Sequence, residues 1–269
     1  MSTPRLADDL RTWRLRRKVS QIELALRAGT TQRHVSFIES GRSTPGRAMV
    51  IRLAESLEIP LRERNALLLA AGFAPIHPET PWADARLAPV RAAVEQVVRA
   101  HNPYPAIVVD RHGTLVSANT AFDDLVAGTA PDLRTPPVNV PRLLLHPTGL
   151  APQIANFDEW AGHVVDAVRA QAVRTPDPVL DALITELAGY TSHLRPTHLG
   201  FAGPLRLRTP AGELHLLTTL THFATAQDVT VAELRMEAFL PADEHTATLL
   251  RTQSLTTTKD PSPVRVPTS

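Results

Sequence analysis

The sequence predicts two folds in one chain: a mostly α N-terminal domain of five helices, and an α/β domain behind it in which helices accompany an antiparallel sheet. Three observations lead there. Through the first 74 residues, apolar side chains recur at helical spacing. Pro75, Pro78 and Pro81, flanked by Pro60 and Pro89, then stiffen a spacer. Beyond it, short strand-like runs alternate with longer helical ones.

The first helix shows Leu6, Leu10 and Trp13 on one stripe, with Arg11, Arg14 and Arg17 expected elsewhere on its surface. Ser20 and Glu23 form a capping box for the second, whose inward residues are Leu24, Ala25 and Ala28. Gly29 ends it, because a left-handed turn costs glycine little. Thr30 or Thr31 caps the third helix, with Val35 and Ile38 facing inward. The fourth carries Val50, Leu53, Ala54 and Leu57; the fifth starts after Pro60 and stops at Gly72.

Charge separates the two parts. Residues 1–74 hold 13 Lys/Arg against 7 Asp/Glu, whereas the other 195 residues hold 15 against 20. A basic end on a mildly acidic body points to a polyanion as partner of the first part alone. With no cysteine, the chain has no disulfide, thiolate catalysis or iron–sulfur cluster. It shows neither a secretory signal at Met1 to Asp9 nor an apolar run of membrane-spanning length, so a cytoplasmic address is expected.

A turn of roughly three residues containing Gly29, between two short helices, has helix-turn-helix spacing. Once Val35 and Ile38 are committed to the core, Gln32, Arg33, Ser36 and Phe37 fall on the outer face. Those side chains suit base edges: Arg for guanine, Gln for adenine, an aromatic ring for the thymine methyl. The stretch SQIELALRAGTTQRHVSFIESGR resembles the XRE/Cro/phage-repressor family. It matches at Ser20-Gln21, at Ala28-Gly29 and at Glu39-x-Gly41-Arg42, and the likeness covers residues 5–74. The resemblance implies double-stranded operator DNA as partner. Gln21 and Arg42 would meet phosphates, Gln32, Arg33, Ser36 and Phe37 would reach bases, and His34 would do either; Thr31 joins the set at the helix start.

A spacer at residues 75–82 leads to the second domain, 83–252, with 253–269 expected as a disordered tail. A helix over residues 90–100 opens it. AIVVD and TLVSAN are two strands around a turn at Gly113. Asn156 and Glu159 look like a capping pair for a helix with Trp160, Val164, Ala167 and Val168 on one side. Asp177-Pro178 caps the next, with Leu180, Leu183, Ile184 and Leu187 inward. LRLRT, a turn at Gly212, ELHLLTTLTH and VTVAELRMEAFL supply further strands, the last read as half-buried, and a short helix follows near residues 243–251. A five-stranded sheet with helices on one face suggests a PAS-like sensor. NPYPAIVVDRHGTLVSAN, DEWAGHVVDAVRAQA and VAELRMEAFLPADEHTATLLR resemble the MmyB-like ligand-binding domain, although HLRPTHLGFAG lacks the Trp-containing segment of that pattern. That likeness implies a small apolar, fatty-acyl-like ligand; no cofactor is expected.

Candidate pocket residues are Tyr104, Asn119, Phe122, Trp160, His163 and Arg169. Each has a plainer alternative: Trp160 as core, Asn119 as a helix cap, Arg169 as a solvated helix residue. No G-x-x-x-x-G-K-[ST], G-x-S-x-G or H-E-x-x-H motif occurs, and Ser192-His193 cannot act as a dyad of sequence neighbours. The pairs His193/His198 and His215/His222 lack a third ligand at metal spacing. The expectation is a non-enzymatic, cytoplasmic, bacterial-type transcription regulator acting as a homodimer. Its rivals keep the DNA-binding head but make the second domain a protein-interaction module or, more distantly, an enzyme.

Overall fold

The stripe of Leu6, Leu10 and Trp13 is buried along α1 (Pro4–Arg16). The computed structural model describes residues 4–175, 177–191, 204–223 and 226–257. Ser20 Oγ accepts the Glu23 N–H at 3.1 Å and starts α2 (Gln21–Arg27). The other half of the expected capping box is replaced: Glu23 takes the Arg27 guanidinium one turn on, at 2.5 Å, since a charged donor binds a carboxylate more strongly than a backbone amide. Gly29 sits at φ 62°, and Thr31 Oγ1 then accepts the His34 N–H at 3.1 Å to open α3 (Gln32–Glu39). Next come α4 (Arg47–Ser56) and α5 (Leu61–Ala70). Leu24, Val35, Ile38, Leu53, Leu57 and Leu68 share one core with the α1 stripe.

The chain continues through α6 (Ala88–Ala100), β1 (Ala106–Val109), β2 (Leu115–Ala118), α7 (Thr120–Val126) and α8 (Val140–Leu145). Two longer helices follow, α9 (Phe157–Arg174) and α10 (Pro178–Thr191). Then come β3 (Leu205–Thr209), β4 (Gly212–His222), the short α11 (Val229–Ala232), β5 (Arg235–Pro241) and α12 (Glu244–Thr257). The strands form one antiparallel sheet in the order β2-β1-β5-β4-β3.

Two expectations are corrected by this sheet. Helices cover both faces, not one. Ile107, Val109, Leu207, Leu216 and Phe239 face a core shared with Trp160, Leu183 and Leu187. Ala106, Val108, Met236 and Ala238 face Val94 and Val98 of α6. Strand β5 is therefore covered on both faces, because Phe239 joins one core while Met236 and Ala238 join the other. Its expected N-terminal part, Val229–Ala232, is helical instead.

Other differences are local. Asn156 makes no cap bond; its amide accepts the Arg206 N–H and donates to Pro204 O, both at 3.0 Å, and so holds β3. Asp177 does cap α10, accepting the Val179 N–H at 2.9 Å. Helix α12 runs on to Thr257, into the stretch expected as tail, from a start capped by Asp243. His193, His198 and HLRPTHLGFAG lie outside the described residues. His215 is flanked by Glu213 at 3.1 Å and Asp243 at 2.9 Å, while His222 falls on the opposite face of β4. Among the described residues no three potential ligands gather for a metal, and no helix is long and apolar enough to cross a membrane.

The described residues divide into two compact units. One runs to Thr80 and also takes in α11; the other begins at Pro81 and resumes at Glu233.

Candidate nucleic-acid interface

Helix α3 commits one face to the core and leaves the other outside. Val35 and Ile38 are wholly buried, while Gln32 and Arg33 are exposed and Ser36 and Phe37 half-buried. The structure thus brings Gln32, Arg33, Ser36 and Phe37 onto one surface, as the helical spacing requires.

Two arrangements there were not legible beforehand. Arg14, expected on the surface of α1, is buried against Glu39 at the end of α3. Its Nε donates to Oε1 at 2.6 Å and its second nitrogen to Oε2 at 2.8 Å. The remaining guanidinium nitrogen donates to Val19 O at 2.9 Å. The Glu39 hydrogen bond outweighs burial and raises the Arg14 pKa, so this cation keeps its charge inside the domain. Arg14 stands four residues after Leu10, on the apolar stripe itself, which is the signal that could have placed it.

Glu39 has a second task. Gln21 Nε2 donates to its Oε2 at 2.9 Å, and Gln21 Oε1 lies 3.5 Å from Gln32 Nε2. The chain Arg14–Glu39–Gln21–Gln32 runs from the core to the exposed start of α3. Gln21 therefore has its amide orientation set from inside, with the oxygen toward Gln32.

The second arrangement surrounds Phe37. The ring is not free on the outer face: the Arg33 guanidinium lies 5.2 Å from its centroid and that of Arg42 6.0 Å. Neither arginine is drawn into an ion pair among the described residues, so both charges stay available to an anion. Thr31 has its hydroxyl engaged as the α3 cap, and His34 Nδ1 lies 3.0 Å from Thr30 Oγ1, so both belong to the turn as much as to the surface.

In the second unit the six pocket candidates do not converge. Phe122 and Trp160 are buried in the main core, Phe122 stacked on Phe239 at 6.4 Å, and Tyr104 packs at its edge. Asn119 is 2% exposed and saturated. Its oxygen accepts from Ala106 and Phe122 N–H, and its nitrogen donates to Val98 and Tyr104 O, leaving nothing for a ligand. His163 and Arg169 are exposed on α9, where Arg169 pairs with Asp166 at 3.2 Å. Both are exposed, whereas Trp160, Ala161, Val165 and Val168 of the same helix are buried.

A missed element lies in the first unit. Val229 N–H donates to Pro78 O at 2.8 Å, Asp228 Oδ2 accepts the Thr80 N–H at 3.2 Å, and His77 Nδ1 lies 3.3 Å from Gln227 O. Residues 226–232, which the chain places between β4 and β5, are thereby bound to the spacer.

A family model described as the MmyB-like transcription regulator ligand binding domain matches residues 90–252, and one described as helix-turn-helix matches residues 10–64. No curated protein matches the chain. The first match alone spans more than half of the chain, and both agree with the likenesses read from its motifs. An α3 with a buried apolar face and an outward polar one is the reading surface such a head needs, and the chain belongs to the MmyB-like DNA-binding transcription regulators.

Proposed function

We propose that this regulator binds a two-fold operator as a homodimer, reads it with α3, and changes its operator affinity when the second domain takes up a small apolar ligand. The DNA-binding head is assigned to residues 1–74, the spacer to 75–82, the sensor to 83–252 and the tail to 253–269, in a protein acting in the cytoplasm. The observation that carries the reading is the outer face of α3. Gln32 and Arg33 stand exposed one residue apart at the helix start, where side chains reach base edges in a major groove. Gln21 and Arg42 are assigned to phosphates, which position the head without selecting sequence.

One head offers a single short helix to one groove, so two heads are needed for selective binding. They should read half-sites about 10–11 base pairs apart, or a multiple of that. For the ligand, the support is the family match. Response to it has a covalent route. The chain between β4 and β5 includes residues 227–229, which are bound to the spacer, so a ligand that displaces either strand would pull on residues 77–80.

Selection of operators from a random library with the full-length protein tests the DNA reading. The expected result is a two-fold motif with that spacing, bound by a dimer in sedimentation. Tight selective binding by a monomer would overturn the dimer. Native mass spectrometry of the purified protein tests the sensor, with a retained lipid-like mass as the expected outcome.

A further inference from the structure

We infer that Phe37 is a positioning residue: its ring carries the guanidiniums of Arg33 and Arg42 and aims one at bases and the other at the backbone of the same duplex. The inference rests on α3 being the reading helix. It replaces a direct ring contact with thymine, the role that spacing alone assigned to Phe37.

The geometry comes from both the side chain and the backbone. Arg33 and Phe37 are one helical turn apart on one face, and the guanidinium lies 5.2 Å from the ring centroid. Arg42 arrives from the other direction, through a turn in which Gly41 takes φ 70°. That turn hangs from Phe37 itself: its carbonyl oxygen accepts the Arg42 N–H at 2.8 Å and the Ser43 N–H at 3.1 Å. The Ser40 hydroxyl donates to the same oxygen at 3.3 Å. One residue thus sets where the loop leaves the helix and, through the ring, where its cation rests at 6.0 Å.

Electrostatics explains why a ring is needed. Two guanidiniums without carboxylate partners repel each other and, left in water, would swing apart. The negative face of an aromatic ring offsets that repulsion without neutralising either charge. A glutamate would hold the arginines as firmly but would cancel the charge that phosphate requires. A leucine fills similar space and would still touch a thymine methyl, yet it has no quadrupole. That difference makes the inference testable.

Phe37→Leu and Phe37→Trp are compared with the wild-type full chain by anisotropy titration on the selected operator and on a scrambled duplex, across a salt series. Phe37→Leu should lose about 5- to 30-fold in operator affinity, the equivalent of two exposed cation–π contacts, while Phe37→Trp stays within about threefold. The slope of log affinity against log salt should flatten by about one unit for Leu and hold for Trp. Wild-type affinity and slope in Phe37→Leu, or equal losses in both variants, would overturn the platform. A measurement on the unaltered protein guards against misfolding of the variants: the Arg33 and Arg42 side-chain NMR signals should show ring-current shifts, and their absence also overturns it. Arg33→Ala separates the two levels. If it leaves the selected motif unchanged, the reading of α3 fails; if it alters the motif while Phe37→Leu changes nothing, only the platform fails.

Discussion

Replacing Glu39 by Ala removes one partner of a pair that is almost wholly out of water, since the Glu39 side chain is 3% and the Arg14 side chain 10% exposed. Arg14 would keep its bond to Val19 O but lose both carboxylate bonds, and its charge would stay buried. Breaking such a pair from one side costs about 3–5 kcal/mol. A head of roughly 70 residues holds only about 4–10 kcal/mol in total, so most of its stability is at stake. Hydrogen exchange read peptide by peptide is the suitable assay, because it separates the head from the rest of the chain. Protection across α3 should fall about 10²- to 4 × 10³-fold, at about 1.4 kcal/mol per decade. The double variant Arg14→Met with Glu39→Leu should recover the lost stability, since an apolar pair of similar volume replaces a buried ion pair at little cost. It should still bind specific and random duplexes more weakly, because Gln21 loses the acceptor that orients it. A loss below about 1 kcal/mol in Glu39→Ala, the scale of an exposed pair, would refute the desolvation on which the reasoning depends.

Arg42→Ala should weaken binding to operator and random duplex by similar factors and flatten the salt slope by about one unit; a changed operator preference at constant slope would remove Arg42 from the phosphate set. The second unit should respond to acid through Glu186, whose pKa is lowered chiefly by its hydrogen bond to Arg142 at 2.5 Å, against burial, with help from Tyr190. A depressed folded pKa means stabilisation that is complete above the ordinary value of 4.5 and drains as pH falls through the lowered one. Urea unfolding between pH 3 and 7 should therefore show a shallower acid limb in Glu186→Gln, and superimposed limbs would refute the assignment. Asp228→Ala removes the acceptor of the Thr80 and Thr230 N–H groups, and exchange in residues 76–80 should rise about 5- to 150-fold, following a loss of about 1–3 kcal/mol. Unchanged protection there would show that the spacer is held by something else.

The helices of the head were legible because what makes them is local. An apolar stripe needs only spacing of three and four, Ser20 and Thr31 act on amides three residues away, and Gly29 is called for by one turn. Much of the outer face of α3 followed from burying Val35 and Ile38 alone. The sheet was legible as strands but not as an order, since β5 pairs with β1 across more than a hundred residues and nothing in either run specifies that neighbour. Asn156 and Arg14 were each assigned by type, and each found partners distant in sequence that took up its hydrogen-bonding capacity, whereas Asn119 caps α7 as expected, accepting the Phe122 N–H. Residues 229–232 read as the start of a strand, yet they fold as a helix beside the spacer, where Val229 is buried and its amide meets Pro78. Local propensity decides a segment only until a tertiary partner offers burial and hydrogen bonds worth more than the few tenths of a kcal/mol that propensity supplies. At Phe37 the helix dictated the direction of the side chain, but the two arginines beside it come from a turn behind and a turn ahead, and only the folded loop brings both to one ring.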